Sequence, residues 1–413
     1  MQRIRTLGIV SILLLCQLTA YGLDWPQWQG PDRSNVSQET DLLKAWPAGG
    51  PALKWKATGL GTGYSGVAVV GQRVYTMGDR DDTCYVHALA VGSDKPLWSR
   101  AVGKAGAPGW GGYAGPRCTP TVEGDRIYVL GQYGEIACLE AEDGTVVWTQ
   151  HMESDLGGKR PEWGYSESLL VDGDLVLCTP GGDQGTLAAL DKHTGKAVWR
   201  STGCKDGAHY SSIVPADIDG VRQYIQLTAE HVLGVGRDGQ VLWTAERRGR
   251  TAVIPTPIVA GNRVYVASGY GAGSNLFEIA RRDGRFEASQ VYATKTMANQ
   301  HGGVVLIGDN LYGYCDSKGW TCQSLATGKA VWTEKGQVGK GSLTAADGML
   351  YLRSEEKGTV ALIKATPDGY QETGRFTQPG YGKPQTWPHP VISDKTLYLR
   401  DQDQLLAYDV AGR

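Results

Sequence analysis

The chain is short of the signals that mark several common protein classes. Phenylalanine occurs only 3 times and methionine 5 times in 413 residues. Charge of one sign is missing as well, since 41 basic side chains face 43 acidic ones. Such a balance makes no basic surface for nucleic acid, so no nucleic-acid partner is expected. The apolar run from Leu7 to Leu15 is too short to span a bilayer comfortably, and no transmembrane segment is expected in the mature chain. No long stretch shows helical periodicity. There is no C-x-x-C-H, so no attached haem serves as a built-in electron acceptor. G-Y-G-A-G at 269–273 is a turn-rich hairpin loop with no helix after it, and therefore no nucleotide loop. No Ser-His-Asp or paired-carboxylate set can be assembled, and no catalytic residue is assigned.

What is present begins with a targeting segment. Arg3 and Arg5 precede the apolar run, and Ala20-Tyr21-Gly22 follows it. That order reads as a secretory signal peptide over residues 1–22, cleaved near Gly22, with the mature protein periplasmic or secreted. A lipoprotein anchor at Cys16 ranks second, because Leu15 stands where a small residue is wanted. Removing residues 1–22 takes away two arginines and no acid, so the net charge moves from −2 to −4. Of the 8 cysteines, Cys84, Cys118, Cys138, Cys178, Cys204, Cys315 and Cys322 remain, an odd number that cannot all pair within one chain. Cys84, Cys138 and Cys178 fall in expected strands as small buried side chains. Cys315 and Cys322 flank D-S-K-G-W-T. A two-residue turn at Lys318–Gly319 would set them opposite each other, and a cross-strand disulfide and two free thiols are both open.

The 58 glycines, 13 tryptophans and 20 tyrosines suit tight turns and pleated, half-buried strands. They are arranged in a repeat. A-L-A-V-G-S-D-K-P-L-W at 88–98, C-L-E-A-E-D-G-T-V-V-W at 138–148 and A-L-D-K-H-T-G-K-A-V-W at 189–199 are each strand, turn, strand, tryptophan. Before them stand units such as T-P-T-V-E-G-D-R-I-Y-V-L at 119–130 and L-T-A-A-D-G-M-L-Y-L at 343–352. Their G-D and D-G pairs provide the positive φ angles of two-residue hairpin turns. Four antiparallel strands per unit make one propeller blade. The closing aromatics Trp55, Trp98, Trp148, Trp199, Trp243, Tyr292, Trp332 and Phe376 recur at intervals of 40 to 51 residues. Residues 51–58 are a fourth strand without its first three, and 390–409 are three strands without a fourth. Together they should form a composite blade that closes the ring and leaves no open edge. The expected fold is all-β: an eight-bladed propeller of four-stranded antiparallel blades over 51–413, preceded by an extension over 23–50. The tryptophans should pack toward the next blade with each indole N–H on a backbone acceptor.

The A-L-D-K-H-T-G-K-A-V-W form resembles the consensus of pyrroloquinoline-quinone (PQQ) type propeller repeats, and the likeness covers nearly the whole mature chain. Three classes share that repeat: quinoprotein alcohol dehydrogenases, the propeller lipoprotein BamB of outer-membrane assembly, and secreted bacterial PQQ-binding-like propellers of unassigned function. D-W-P-Q-W-Q-G-P-D-R-S-N-V-S at 24–37, E-W-G-Y-S-E-S at 162–168, H-G-G-V-V at 301–305 and W-P-H-P-V at 387–391 are similar to the third class. The dehydrogenase likeness would bring PQQ with calcium, held under an adjacent-cysteine disulfide and by a Glu, an Asn and an Asp. No Cys-Cys pair exists here. Glu167 and Asn299 can be offered as ligands, but no convincing aspartate pair matches. The BamB likeness implies a scaffold that binds protein partners.

A propeller binds at the loops around its channel, and those leading into each first strand are the natural lining. G-Y-S-G (63–66), the glycine-rich approach to Arg117, W-G-Y-S-E (163–167), H-Y-S-S (209–212), N-Q-H-G-G (299–303) and T-W-P-H-P (386–390) all occupy that place. Tyr64, Tyr165 and Tyr210 recur at one register, each followed by Ser, and serve either recognition or packing. Arg117 suits a carboxylate, or else a salt bridge to Glu167. Trp110, Trp163 and Trp387 can stack a planar or sugar ligand or cover the channel mouth. His209, His301 and His389 come from alternate blades, which should hold them apart, so no metal ligand is assigned. Tyr64, Arg117, Trp163, Tyr165, Glu167, His209, Tyr210, Asn299, His301, Trp387 and His389 are thus the ligand-binding candidates, for a small molecule or a protein partner.

Overall fold

Eight sheets arise from the repeat, and a computed structural model describes them over residues 23–109, 111–381 and 385–412. The signal-peptide reading of 1–22 and the stacking role given to Trp110 lie outside the described residues. Seven sheets have four strands and one has five, and the described residues contain no helix. The protein is an eight-bladed all-β propeller. Within each blade consecutive strands are antiparallel neighbours, as in the second: Thr121–Glu123, Arg126–Leu130, Glu135–Glu140 and Val146–His151. The short first strands of successive blades lie against one another and line the axis.

Turn chemistry sets the register. Glu123 pairs with Arg126 across Gly124, whose φ of 59° begins a two-residue turn. Ala346 pairs with Met349 across Asp347 and Gly348, both at positive φ (50° and 73°). The composite blade forms as expected, with Ala52–Ala57 antiparallel to Gln404–Asp409 and Trp55 opposite Ala407. Both ends of the propeller are thereby tied into one sheet.

The closing aromatic has a definite place, immediately after a β-bulge in the fourth strand. Trp148 pairs with Cys138 and Val146 with Leu139, which leaves Val147 in the bulge. Its indole donates to the carbonyl of Lys192 in the next blade at 2.9 Å, and its ring lies on Gly195 of the T-G turn there. A Cβ at Gly195 would stand 2.6 Å from that ring, which is why the repeat keeps glycine at this point. Blade seven differs from the expectation. Its bulge puts Gly374, not Phe376, at the closing register, opposite Leu362. Trp46 from the amino-terminal segment packs on that glycine, 6.0 Å from the Tyr351 ring and 5.4 Å from Phe376.

The rest of that segment runs across the axis. Trp25 exchanges two 2.8 Å backbone hydrogen bonds with Val69 of blade one, and Pro26 accepts from Val122 of blade two. Arg33 is buried and donates to the carbonyls of Ser168, Leu169 and Ile213 in blades three and four. Val36–Ser37 adds a parallel strand to Ala345 and Ala346 of blade seven, and Ser37 donates to Ile392 of blade eight. First strands otherwise leave backbone groups facing the channel, and this segment satisfies them.

The cysteine register also departs from expectation. Cys315 pairs with Gly319 and Cys322 with Tyr312, because residues 316–318 make a three-residue turn. The two thiols are not opposite, and all seven described cysteines are free and buried. The disulfide alternative is overturned.

Candidate functional site

The loop face of the propeller holds a cavity of about 350 Å3 on the axis. Two kinds of loop build it. Connections into first strands carry Tyr64, Arg117, Trp163, Tyr210, His301, Lys340 and Trp387, and turns between second and third strands carry Tyr270 and Glu355. Both emerge at the same end of the blades, because strand direction alternates. The axial segment closes the cavity from below with Trp28, whose indole donates to Thr256 at 2.9 Å.

Aromatic rings form two walls. On one side the Tyr64 and Trp387 ring centroids are 4.4 Å apart, and Tyr113 meets Trp387 edge-on at 4.8 Å. On the other, Trp163 stacks with Tyr210 at 5.9 Å and 26°. Burial raises the Tyr64 hydroxyl to about 12, so it stays neutral and can donate.

Arg117 supplies the cation. Its guanidinium donates to the carbonyls of Gly115 (3.0 Å) and Tyr113 (2.7 Å) and lies 5.8 Å from the Tyr64 ring centre. The ion pair with Glu167 does not form. Burial lowers the Arg117 pKa, while neighbouring tyrosines raise it. On the far side of Trp387 in that first wall, the Glu355 carboxylate takes Lys340 Nζ at 2.8 Å, His301 Nε2 at 3.1 Å and the Trp387 indole N–H at 3.1 Å. Burial alone would raise its pKa, but His301 and Lys340 hold it down to about 2. Glu355 is therefore an engaged anion that orients the Trp387 ring.

Five sequence candidates lie behind the cavity wall. Tyr165 is buried and donates to the Pro180 carbonyl at 3.2 Å. Glu167 accepts from the backbone N–H and hydroxyl of Thr179, and burial pushes it up to about 7 against the pull of Thr179 and Arg33. Asn299 donates to Tyr314 O and accepts from Gly303 N, both at 3.0 Å. His209 accepts from the Val253 N–H at 3.3 Å. His389 is held by Asn35 and the His301 carbonyl, each at 3.0 Å, and burial lowers it to about 4. His301 and His389 are thus in contact, contrary to the separation expected of alternate blades. Their loops converge at the axis, yet the three imidazoles gather no common ligand point.

The donor set bears on PQQ and calcium. Glu167 and Asn299, the residues that the dehydrogenase likeness offers to the ion, use their oxygens on Thr179 and Gly303. They do not fit a calcium ligand set facing this cavity.

Sequence reading missed Trp28, Tyr113, Tyr270, Lys340 and Glu355. Lys340 stands in the same lead-in register as Tyr64, and that signal was available. Glu355 and Tyr270 come from second-to-third-strand turns, whose place on this face follows from counting strand directions.

Comparison with known proteins gives three findings. A family model described as "Outer membrane protein assembly factor BamB" matches residues 82–334. The BamB of Yersinia pestis is 24% identical over 239 residues, which are 54% of this chain and 56% of that protein, so the match spans about half of the relative. Among solved structures, BamB from Moraxella catarrhalis superposes with a TM-score of 0.56 at 15% identity over 81% of this chain and 93% of that one. The quinohemoprotein alcohol dehydrogenase of Comamonas testosteroni gives 0.64 at 12% identity over 95% and 81%. At such identity the structural likenesses show the fold alone.

Proposed function

The chain belongs to the PQQ-type repeat family described as outer membrane protein assembly factor BamB, and from that premise we propose that it is a non-catalytic, periplasmic or secreted binding propeller. In this reading residues 1–22 are a cleaved signal, and the ligand sits at the loop face of the channel. One observation carries the proposal. Arg117 lines an aromatic-walled cavity and, among the described residues, makes no ion pair with a carboxylate, Asp79 acting on it only at longer range. A guanidinium so placed suits an anionic group, and the paired rings suit a flat or sugar ring. The ligand class is a small ring compound bearing a carboxylate, of a size the 350 Å3 cavity accepts.

The test is a tryptophan-fluorescence titration of the mature protein with uronic acids, aromatic carboxylates, and PQQ with calcium. A saturable change with a member of the first two groups is expected, with roughly tenfold weaker binding or worse in Arg117→Ala, which should still fold and unfold cooperatively. Binding that ignores Arg117→Ala would sink this placement of the ligand. Tight PQQ binding with dye reduction on alcohols or sugars would instead make the protein a quinoprotein dehydrogenase.

A second reading, an assembly scaffold of the BamB kind, draws on the family match. There the loop face would meet a protein, and the cavity would take a side chain from it. Substitutions on the rim that abolish capture of a purified partner while small acids fail to bind would favour it.

A further inference from the structure

We propose that Cys204, Asp206 and His231 form a binding site for a divalent transition-metal ion of the zinc class, on the rim between blades three and four. One ligand atom of each residue lies within 4.8 Å of the others. The three come from two segments. Cys204 and Asp206 sit in the connection between Ala197–Arg200 and Val214–Ile218, and His231 opens the strand His231–Gly236. None of them lines the axial cavity.

The surrounding hydrogen bonds hold the ligands in place. His231 Nδ1 is 2.9 Å from Asp206 Oδ2, and Thr228 donates its hydroxyl to the same carboxylate. The Thr186 hydroxyl lies 3.3 Å from both Cys204 Sγ and the Asp206 carbonyl. Backbone bonds from Gly182 to Asp206 O and from Thr186 to Cys204 O pin the loop to blade three. Supports of this kind orient first ligands and strengthen metal sites. Cys204 is 8% exposed and the His231 side chain 36%, so one side of the cluster opens to solvent.

Ligand type selects the ion. A sulfur, an imidazole nitrogen and one carboxylate oxygen suit zinc, whereas calcium and magnesium want oxygen throughout. Metal–ligand bonds of about 2.0–2.3 Å need ligand atoms roughly 3–4 Å apart, so modest side-chain adjustment closes the set. Three protein ligands leave a fourth position for water. On binding, bonds form from the metal to Sγ, to Nδ1 and to a carboxylate oxygen. The thiol proton leaves to solvent, the His231–Asp206 hydrogen bond gives way, and the proton it used on Nδ1 passes through solvent to Nε2, so that the imidazole binds neutral through Nδ1. The ion would staple the blade-three connection to the blade-four turn.

Cobalt titration of the tag-free mature chain tests this. One ion per chain is expected, with a thiolate-to-cobalt charge-transfer band that zinc removes and a melting temperature raised by zinc. Cys204→Ser, which keeps an acceptor for Thr186, should abolish the band, and His231→Ala should weaken binding by roughly tenfold or more. No band in the folded wild-type protein, or a band that survives Cys204→Ser, overturns the proposal. Should the serine variant misfold, zinc protection of Cys204 from maleimide in the wild-type protein decides, and no protection overturns it.

Discussion

Trp46 lies on Gly374, with its Cβ 2.6 Å from where a Cβ of residue 374 would stand, and so sets a ring from the amino-terminal segment against Tyr351, while the Phe376 ring lies on Gly50 of the next blade. Trp46→Ala should cost about 3–5 kcal/mol, measured by chemical denaturation, because a large buried ring leaves a cavity. Gly374→Ala should be similarly harmful by expelling Trp46. In the double variant the two losses should fall well short of adding, since both break one contact.

Arg33 ties the axial segment to blades three and four through three carbonyls. Arg33→Met keeps much of the volume but leaves those acceptors without their donor. A loss of about 2–4 kcal/mol is expected. Hydrogen exchange should rise first in residues 24–37 and at Ile213. Uniform loosening of the whole ring would count against the axial segment acting as a local plug.

Glu167 gives a pH signature. Burial raises its folded pKa to about 7 from an ordinary 4.5. The folded state therefore binds more protons between these values, and this group's contribution to stability declines as pH rises from 4.5 to 7. His389 works the other way, since its pKa is lowered from 6.5 to about 4 and its contribution grows over that interval. Subtraction isolates the carboxyl: relative to Glu167→Gln, the wild-type protein should lose about 3 kcal/mol at most between pH 4.5 and 7. A flat difference would mean that Glu167 is ionised without cost.

Free thiols are directly countable. Alkylation of the mature protein in denaturant without reductant should label all seven cysteines Cys84 to Cys322. Labelling of five, with Cys315 and Cys322 joined in one peptide pair, would contradict the observed strand register.

Much of this molecule is local in origin and was legible in the chain. Alternation with period two, G-D and D-G turns and the T-G-x-x-x-W hairpins each act within a dozen residues, so blade number, strand order and the composite closing blade followed. Other features depended on where distant segments meet. Tyr64 and Tyr165 are each followed by Ser, yet Tyr165 stands seven residues before the hairpin residue Asp172 and Tyr64 six before Val70, so the two are not in one register; Tyr64 faces the cavity while Tyr165 turns its hydroxyl to Pro180. Phe376 has the spacing of a closing aromatic, but one bulge moves Gly374 into that position and calls in Trp46. The turn sits at 316–318 instead of 318–319, which moves the partner of Cys315 from Cys322 to Gly319. The sequence by itself determined the propeller, because hairpin energetics are settled between neighbours. Only the tertiary structure decided the cavity, because loops from different blades and the axial segment compete there for the same space and the same backbone partners.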